Sequence, residues 1–218
     1  MDNYKNIKVD NIYESIIRSG YAMQTGSPVD FPKDPESLKE LAMKRYKTAK
    51  NLGQTAPGTG HNNFLKGIHV SFDMKISQVL LPQFERYHWL EIISSQSKMH
   101  RIVKGDFEYH PYVSDESISV VEGLIIVYNN FVEYSDDEGL FHFYKNNMPM
   151  KLTKPQLFEA IVYNCPMGLQ LWMGVDTNYL QLKTVVGQRH NHKMSEWNLF
   201  TEMCKSLPLF EELTNGKN

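Results

Sequence analysis

Cysteine is scarce in this chain: Cys165 and Cys204 are the only two in 218 residues. They sit in the apolar stretches VYNCPMG and TEMCKSL, a setting that fits reduced, buried thiols and excludes a disulfide framework or an activated thiolate nucleophile. Long apolar runs are missing as well. None approaches the roughly 20 residues needed to span a bilayer, and the opening MDNYKNIKVD lacks the apolar centre of a secretion signal, so a cytoplasmic protein without a membrane partner is expected. Lys and Arg total 23 against 25 Asp and Glu, a formal charge of −2. That balance argues against nucleic acid as a partner, because no basic excess is available to neutralise phosphates. Glycine-rich phosphate loops, CxxC and HExxH are also absent. His190 and His192 in RHNHK have no second cluster of ligands nearby in sequence; a basic helix end is the simpler reading, and no metal is expected.

What is present suffices for one substantial core. At 41% hydrophobic and 22% charged, the chain reads as a single domain over residues 1–218. After a short extended start, residues 9–23 read as a helix. Asp34 is a natural N-cap with Pro35 behind it, and Leu38, Leu41, Ala42, Ala49 and Leu52 mark one face up to Gly53. GIHVSFDMKI alternates strictly, as a strand with one buried face does. Pro82 can open a helix over Gln83–Ile93, and residues 115–134 form another, followed by an acidic turn at Asp136–Gly139. LFHFY reads as a strand, Thr153 caps a helix through Tyr163, and GLQLWMGV is extended. Asp176 or Thr177 starts a helix through Arg189, and Ser195 caps the last one before Pro208. Without regular βαβ alternation, the class is α+β, an antiparallel sheet flanked by helices.

One stretch stands out. Gln83 to Arg101 reads QFERYHWLEIISSQSKMHR, dense in ring nitrogens, hydroxyls and cations that a buried helix does not need. Upstream lie Gly60–His61 and SFDMK at Ser71–Lys75; downstream, TNYLQLKTVVGQRHNHKMSEWNLF carries Asn178, Arg189 and SEW. The order resembles the flavin-dependent thymidylate synthases, in which a Gly-His loop precedes a strand of the type TFHVK. A helix with Gln and Arg-His-Arg follows, then Ser-x-Arg-Tyr, and later an Asn-rich helix ends in Arg before a segment of the type AQWEI. Gly60 to Arg86 aligns without a gap, and one extra residue falls between Arg86 and Ser97.

The resemblance implies the fold of that family and an enzyme that transfers a one-carbon group to a deoxyuridine-type nucleotide with reduced FAD. Methylenetetrahydrofolate and NADPH would be co-substrates, and the assembly would be a homotetramer. It assigns His61, Arg86, His88 and Asn178 to the cofactor, and Gln83, Ser97, Lys98 and Arg189 to the pyrimidine nucleotide, with Arg189 and Ser97 as the catalytic pair. A guanidinium at Arg189 suits polarisation of a uracil carbonyl.

The departures are equally specific. Arg-His-Arg becomes RYH, the Arg of Ser-x-Arg-Tyr becomes Met99, an upstream acid becomes Ser94 or Ser95, and the Arg expected before Pro166 falls near Val162. A hydrogen bond to a charged group contributes roughly 1.5 to 3 kcal/mol, so two lost arginines would cost about two to four orders of magnitude in nucleotide affinity. Lys98 and Arg101 are the substitutes at hand. The alternative is a non-catalytic nucleotide-binding protein on the same fold, and each residue has an ordinary reading too: Arg86 in a surface ion pair, His61 within its own loop, Ser97 as a local cap, Arg189 as a helix end.

Overall fold

The computed structural model describes residues 2–56, 58–131, 141–145 and 148–215. In chain order it builds β1 (Tyr4–Asp10), α1 (Ile12–Arg18), α2 (Pro35–Met43), α3 (Tyr46–Gly53), β2 (His69–Ser77), α4 (Leu81–Phe84), β3 (Glu91–Ser95), α5 (Lys98–Arg101) and β4 (Glu108–Tyr109). Then follow α6 (Asp115–Asn129), β5 (Phe141–Lys145), β6 (Met148–Leu152), α7 (Lys154–Asn164), β7 (Leu169–Asn178), α8 (Tyr179–Arg189), α9 (Ser195–Lys205) and α10 (Phe210–Thr214). The main sheet runs β1-β2-β7-β3, with β4 also on β7, while β5 and β6 form a hairpin. The pairs β1·β2, β4·β7 and β5·β6 are antiparallel. The class is α+β with an antiparallel sheet and flanking helices.

Contacts group the chain into two compact units, one of residues 1–74, 84–94 and 173–218, the other of residues 75–83 and 95–172. The first unit has an aromatic core. Phe84 stacks on Trp197 at 6.2 Å, and Phe200 meets Phe84, Trp197 and Phe72. Tyr179 meets Phe210 edge-on at 5.1 Å and donates its hydroxyl to the Pro208 carbonyl, which satisfies a phenol that burial pushes well above its usual pKa. The second unit is aliphatic: Ile102, Val121, Leu124, Ile125, Leu152, Leu157 and Ile161 form its core.

Local rules account for many elements. The Asp34 carboxylate accepts the Ser37 N–H at 2.8 Å and caps α2, with Pro35 at its start. Gly53 closes α3 where a Cβ would come within 2.3 Å of the Leu213 carbonyl, so α10 requires glycine there. β2 buries Val70, Phe72, Met74 and Ile76 on one face, as its alternation predicts. Thr153 starts α7 with a capping box to Gln156.

Several expectations change, and the helix expected from Asp34 to Gly53 is broken at Lys44-Arg45 into α2 and α3. The helix over Gln83–Ile93 does not form: α4 ends at Phe84, single turns follow at Tyr87 and Leu90, and Glu91–Ser95 is strand β3. Its Ile92-Ile93 pair favours a strand, and β7 offers a neighbour at Gly174, where an added Cβ would come within 3.9 Å of the Ile93 Cβ. The extended start is strand β1, paired with β2 in a register interrupted between Lys5 and Lys8, but the helix after it covers only Ile12–Arg18 rather than 9–23. The helix after β7 begins at Tyr179 with Asn178 as its cap, Asp176 and Thr177 remaining in the strand. The helix expected over 115–134 stops earlier, α6 ending at Asn129 with Asn130 as its C-cap, while the acidic turn at Asp136–Gly139 lies outside the described residues.

Candidate functional site

Within the first unit, α8 is the element around which the polar side chains are arranged. Its N-cap is Asn178, whose side-chain oxygen accepts the Gln181 N–H at 3.1 Å. Its last residue is Arg189, half-buried and held on three sides. The Nε of Arg189 donates to the Tyr87 hydroxyl at 2.7 Å, and that hydroxyl donates to Gln188 Oε1 at 3.1 Å. The guanidinium carbon lies 4.6 Å from the centre of the Trp197 ring and 5.4 Å from that of Tyr87. Arginine suits this box because its planar, weakly hydrated cation stacks on aromatic faces and still presents N–H groups at its edge. The Nη1 edge faces His192 Nε2 at 3.3 Å.

The turn between Phe84 and Glu91 carries Arg86 and His88, both exposed. Two bonds fasten it: Tyr87 to Arg189, as above, and the Thr177 hydroxyl to the Trp89 carbonyl at 2.9 Å, next to Asn178. The loop leading to His61 is anchored to the same helix. Lys183 Nζ donates to the carbonyls of Gly53 at 2.7 Å and Thr55 at 2.6 Å, and burial lowers the pKa of this ammonium. Asn62 donates to the Thr55 carbonyl at 3.3 Å, and Gly60 adopts a φ of +78°, a conformation in which glycine is unstrained. His61 itself is exposed. One helix thus organises the supports of His61, Arg86, His88, Asn178 and Arg189.

Gln83, Ser97 and Lys98 belong to the second unit. Gln83 lies at the end of α4 and is half-buried. The Ser97 hydroxyl accepts the His100 N–H at 3.3 Å and caps α5. Lys98 Nζ donates to Gln78 Oε1 at 3.4 Å. Arg101 is engaged elsewhere: Nη2 donates to the Asp106 carbonyl at 2.6 Å and carboxylate at 3.0 Å, Nη1 donates to Gln96, and Phe107 lies under the guanidinium at 5.4 Å. Of the two substitutes named from sequence, Lys98 has the less committed charge.

Neither cysteine is poised for chemistry. Cys204 is buried, and desolvation drives its thiol pKa far up. Half-buried Cys165 is also raised, burial outweighing the opposing pull of Lys98. Among the described residues no group of three or more His, Cys, Asp or Glu could hold a metal ion, and no helix is long and apolar enough to cross a membrane.

Sequence reasoning missed Tyr87, Trp197, Lys183 and Thr177, and read His192 as part of a basic helix end in preference to a metal ligand. The one sequence signal for Tyr87 was its place inside RYH; nothing local tied it to a residue 102 positions away.

No protein-family model matches the sequence, and no curated protein is similar enough to count as a relative. Solved structures do match. A crystal structure of the flavin-dependent thymidylate synthase ThyX from Helicobacter pylori, complexed with FAD and dUMP, superimposes with a TM-score of 0.63 at 14% identity, covering 96% of each chain. A second Helicobacter pylori ThyX structure with FAD and dUMP gives 0.55 at 12% identity, covering 94% of this chain and 95% of that one. Over nearly its whole length, this chain has the fold of the flavin-dependent thymidylate synthases.

Proposed function

We propose that the chain binds a flavin and a deoxypyrimidine nucleotide and transfers a one-carbon group to the pyrimidine ring. The observation that carries this reading is Arg189, fixed between Tyr87 and Trp197 with its N–H edge turned toward His192. A guanidinium so immobilised can hold a ring carbonyl and the negative charge that develops on it, with little reorganisation at the moment of reaction. Exposed Arg86, His88 and His61, with the amide of Asn178, form a donor set of cations and N–H groups suited to FAD, whose diphosphate and reduced ring are anionic. When bound, reduced flavin supplies reducing equivalents from a nicotinamide and relays the one-carbon unit of methylenetetrahydrofolate. No cysteine nucleophile is then required, in keeping with two thiols that burial holds protonated.

In this reading Ser97, Gln83 and Lys98 meet the nucleotide, Lys98 taking the part of the absent phosphate-binding arginines, and the working assembly is a homotetramer. Purified protein mixed with FAD should elute from gel filtration with a flavin spectrum. With folate and NADPH present it should then release tritium from 5-tritiated dUMP. Flavin retention without tritium release would leave nucleotide binding without catalysis. Met99 at the family's Arg position and Ser94 or Ser95 at its acidic position favour that second reading. Failure to retain FAD at any concentration would overturn the flavin assignment.

A further inference from the structure

Beyond Arg189, His192 has no role in the reading above, yet its hydrogen bonds fix where its proton lies. After α8 the chain turns through Asn191, which adopts a left-handed φ of 53°, a conformation asparagine tolerates better than most side chains. The turn brings the half-buried ring of His192 back to Arg189 and edge-on to buried Trp197 at 6.3 Å. There Nδ1 accepts the backbone N–H of Met194 at 3.1 Å. A neutral imidazole has one lone pair and one N–H. With the lone pair committed at Nδ1, the proton is on Nε2. Flipping the ring would set a C–H against the Met194 amide and lose that bond.

Nε2–H therefore faces Arg189 Nη1 at 3.3 Å, and every hydrogen on a guanidinium is also a donor. Two donors converge, and among the described residues neither accepts from the other. The Asn198 amide donates to the His192 carbonyl at 2.9 Å, which holds the backbone in place but gives the ring no acceptor. Two N–H groups at this spacing are satisfied together by one oxygen about 2.9 Å from each.

We infer that Arg189 and His192 form a two-donor clamp for a single exocyclic oxygen of the pyrimidine ring, with His192 in the Nε2–H form as the second donor. This rests on the nucleotide reading above and extends it. Both donors are set against the buried indole of Trp197, where low polarity strengthens a hydrogen bond, and both are in place before charge builds up on the oxygen.

The test uses flavin-loaded full-length protein. Long-range proton–nitrogen spectra of histidine-labelled protein, assigned against His192→Gln, should show the His192 proton on Nε2. Calorimetric titration with dUMP should show His192→Ala weakened about tenfold. His192→Gln, whose side-chain amide offers an N–H at nearly the same place, should stay within about threefold of wild type. Sulfur accepts hydrogen bonds poorly, so one of 2-thio-dUMP and 4-thio-dUMP should bind about tenfold more weakly than dUMP to wild type. That penalty should shrink in His192→Ala, where Arg189 is the remaining donor to that atom. A proton on Nδ1, or dUMP affinity in His192→Ala within twofold of wild type, would overturn the clamp and leave the nucleotide reading intact. Wild type that binds no dUMP would overturn both.

Discussion

Arg189 rests on the rings of Trp197 and Tyr87 with a hydroxyl on its Nε, whereas Arg101 is tied to the Asp106 carboxylate and to Gln96. Both are half-buried arginines at the ends of helices. The aromatic surroundings position the first without neutralising it, so its charge remains available to a ligand. The second spends its charge on a partner in its own chain. A cation fixed by faces keeps its charge open to a ligand; a cation fixed by a carboxylate is mainly a structural one.

The strongest way to break this contrast is to remove each in turn. Arg189→Ala should weaken dUMP binding to flavin-loaded protein by about 100-fold or more, since hydrogen bonds to a charged group contribute roughly 1.5 to 3 kcal/mol each. Arg189→Lys should do nearly as badly, because an ammonium cannot reproduce the stacked fork. Arg101→Ala should stay within about threefold in the same calorimetric titration. Equal losses at the two positions would erase the distinction.

A second contrast sets Lys183 against both. It donates to two carbonyls and, among the described residues, has no carboxylate partner, so Lys183→Met strands those carbonyls. The variant should lose about 1 to 3 kcal/mol in urea unfolding, and amide exchange in residues 54–62 should quicken. Burial lowers the pKa of Lys183 in the folded chain, so the unfolded chain binds more protons between the folded and unfolded values. Its contribution to stability therefore rises with pH through that window, whose upper limit is the ordinary lysine pKa. Comparing unfolding of wild type and Lys183→Met across alkaline pH reads the rise, and a fall would contradict it.

Lys98 offers a smaller effect. If its charge serves the nucleotide phosphate, Lys98→Ala should weaken dUMP by about tenfold and leave deoxyuridine unchanged, and added salt should shrink the difference. Smaller still is the contrast between the thiols. At mild alkaline pH, alkylation followed by mass spectrometry should label Cys165 more slowly than a free cysteine, and should label Cys204 only after unfolding.

The parts of the fold legible in sequence were those set by neighbours along the chain. Strict alternation in β2, Asp34-Pro35 at α2 and Thr153 at α7 are local signals, and the structure agrees with each. Pro82 was a true helix signal but only for α4, because the partner that makes Glu91–Ser95 a strand comes from β7, some 80 residues on. The candidate site divides the same way. Order and spacing singled out Arg189 as a candidate, but the box around it joins residues 87, 189, 192 and 197 through packing that no local pattern encodes. His192 read as no more than a basic helix end because sequence gives a ring nitrogen no direction, and the Met194 amide supplies that direction only once the chain has turned.

The supports gathered on α8 bear on how the protein fluctuates. The loop behind His61, the turn with Arg86 and His88, and the guanidinium of Arg189 are all fastened to this helix or its flanks. A local opening that frees α8 would release them together, in one cooperative step. The arrangement of these side chains therefore depends on how firmly a single helix stays docked.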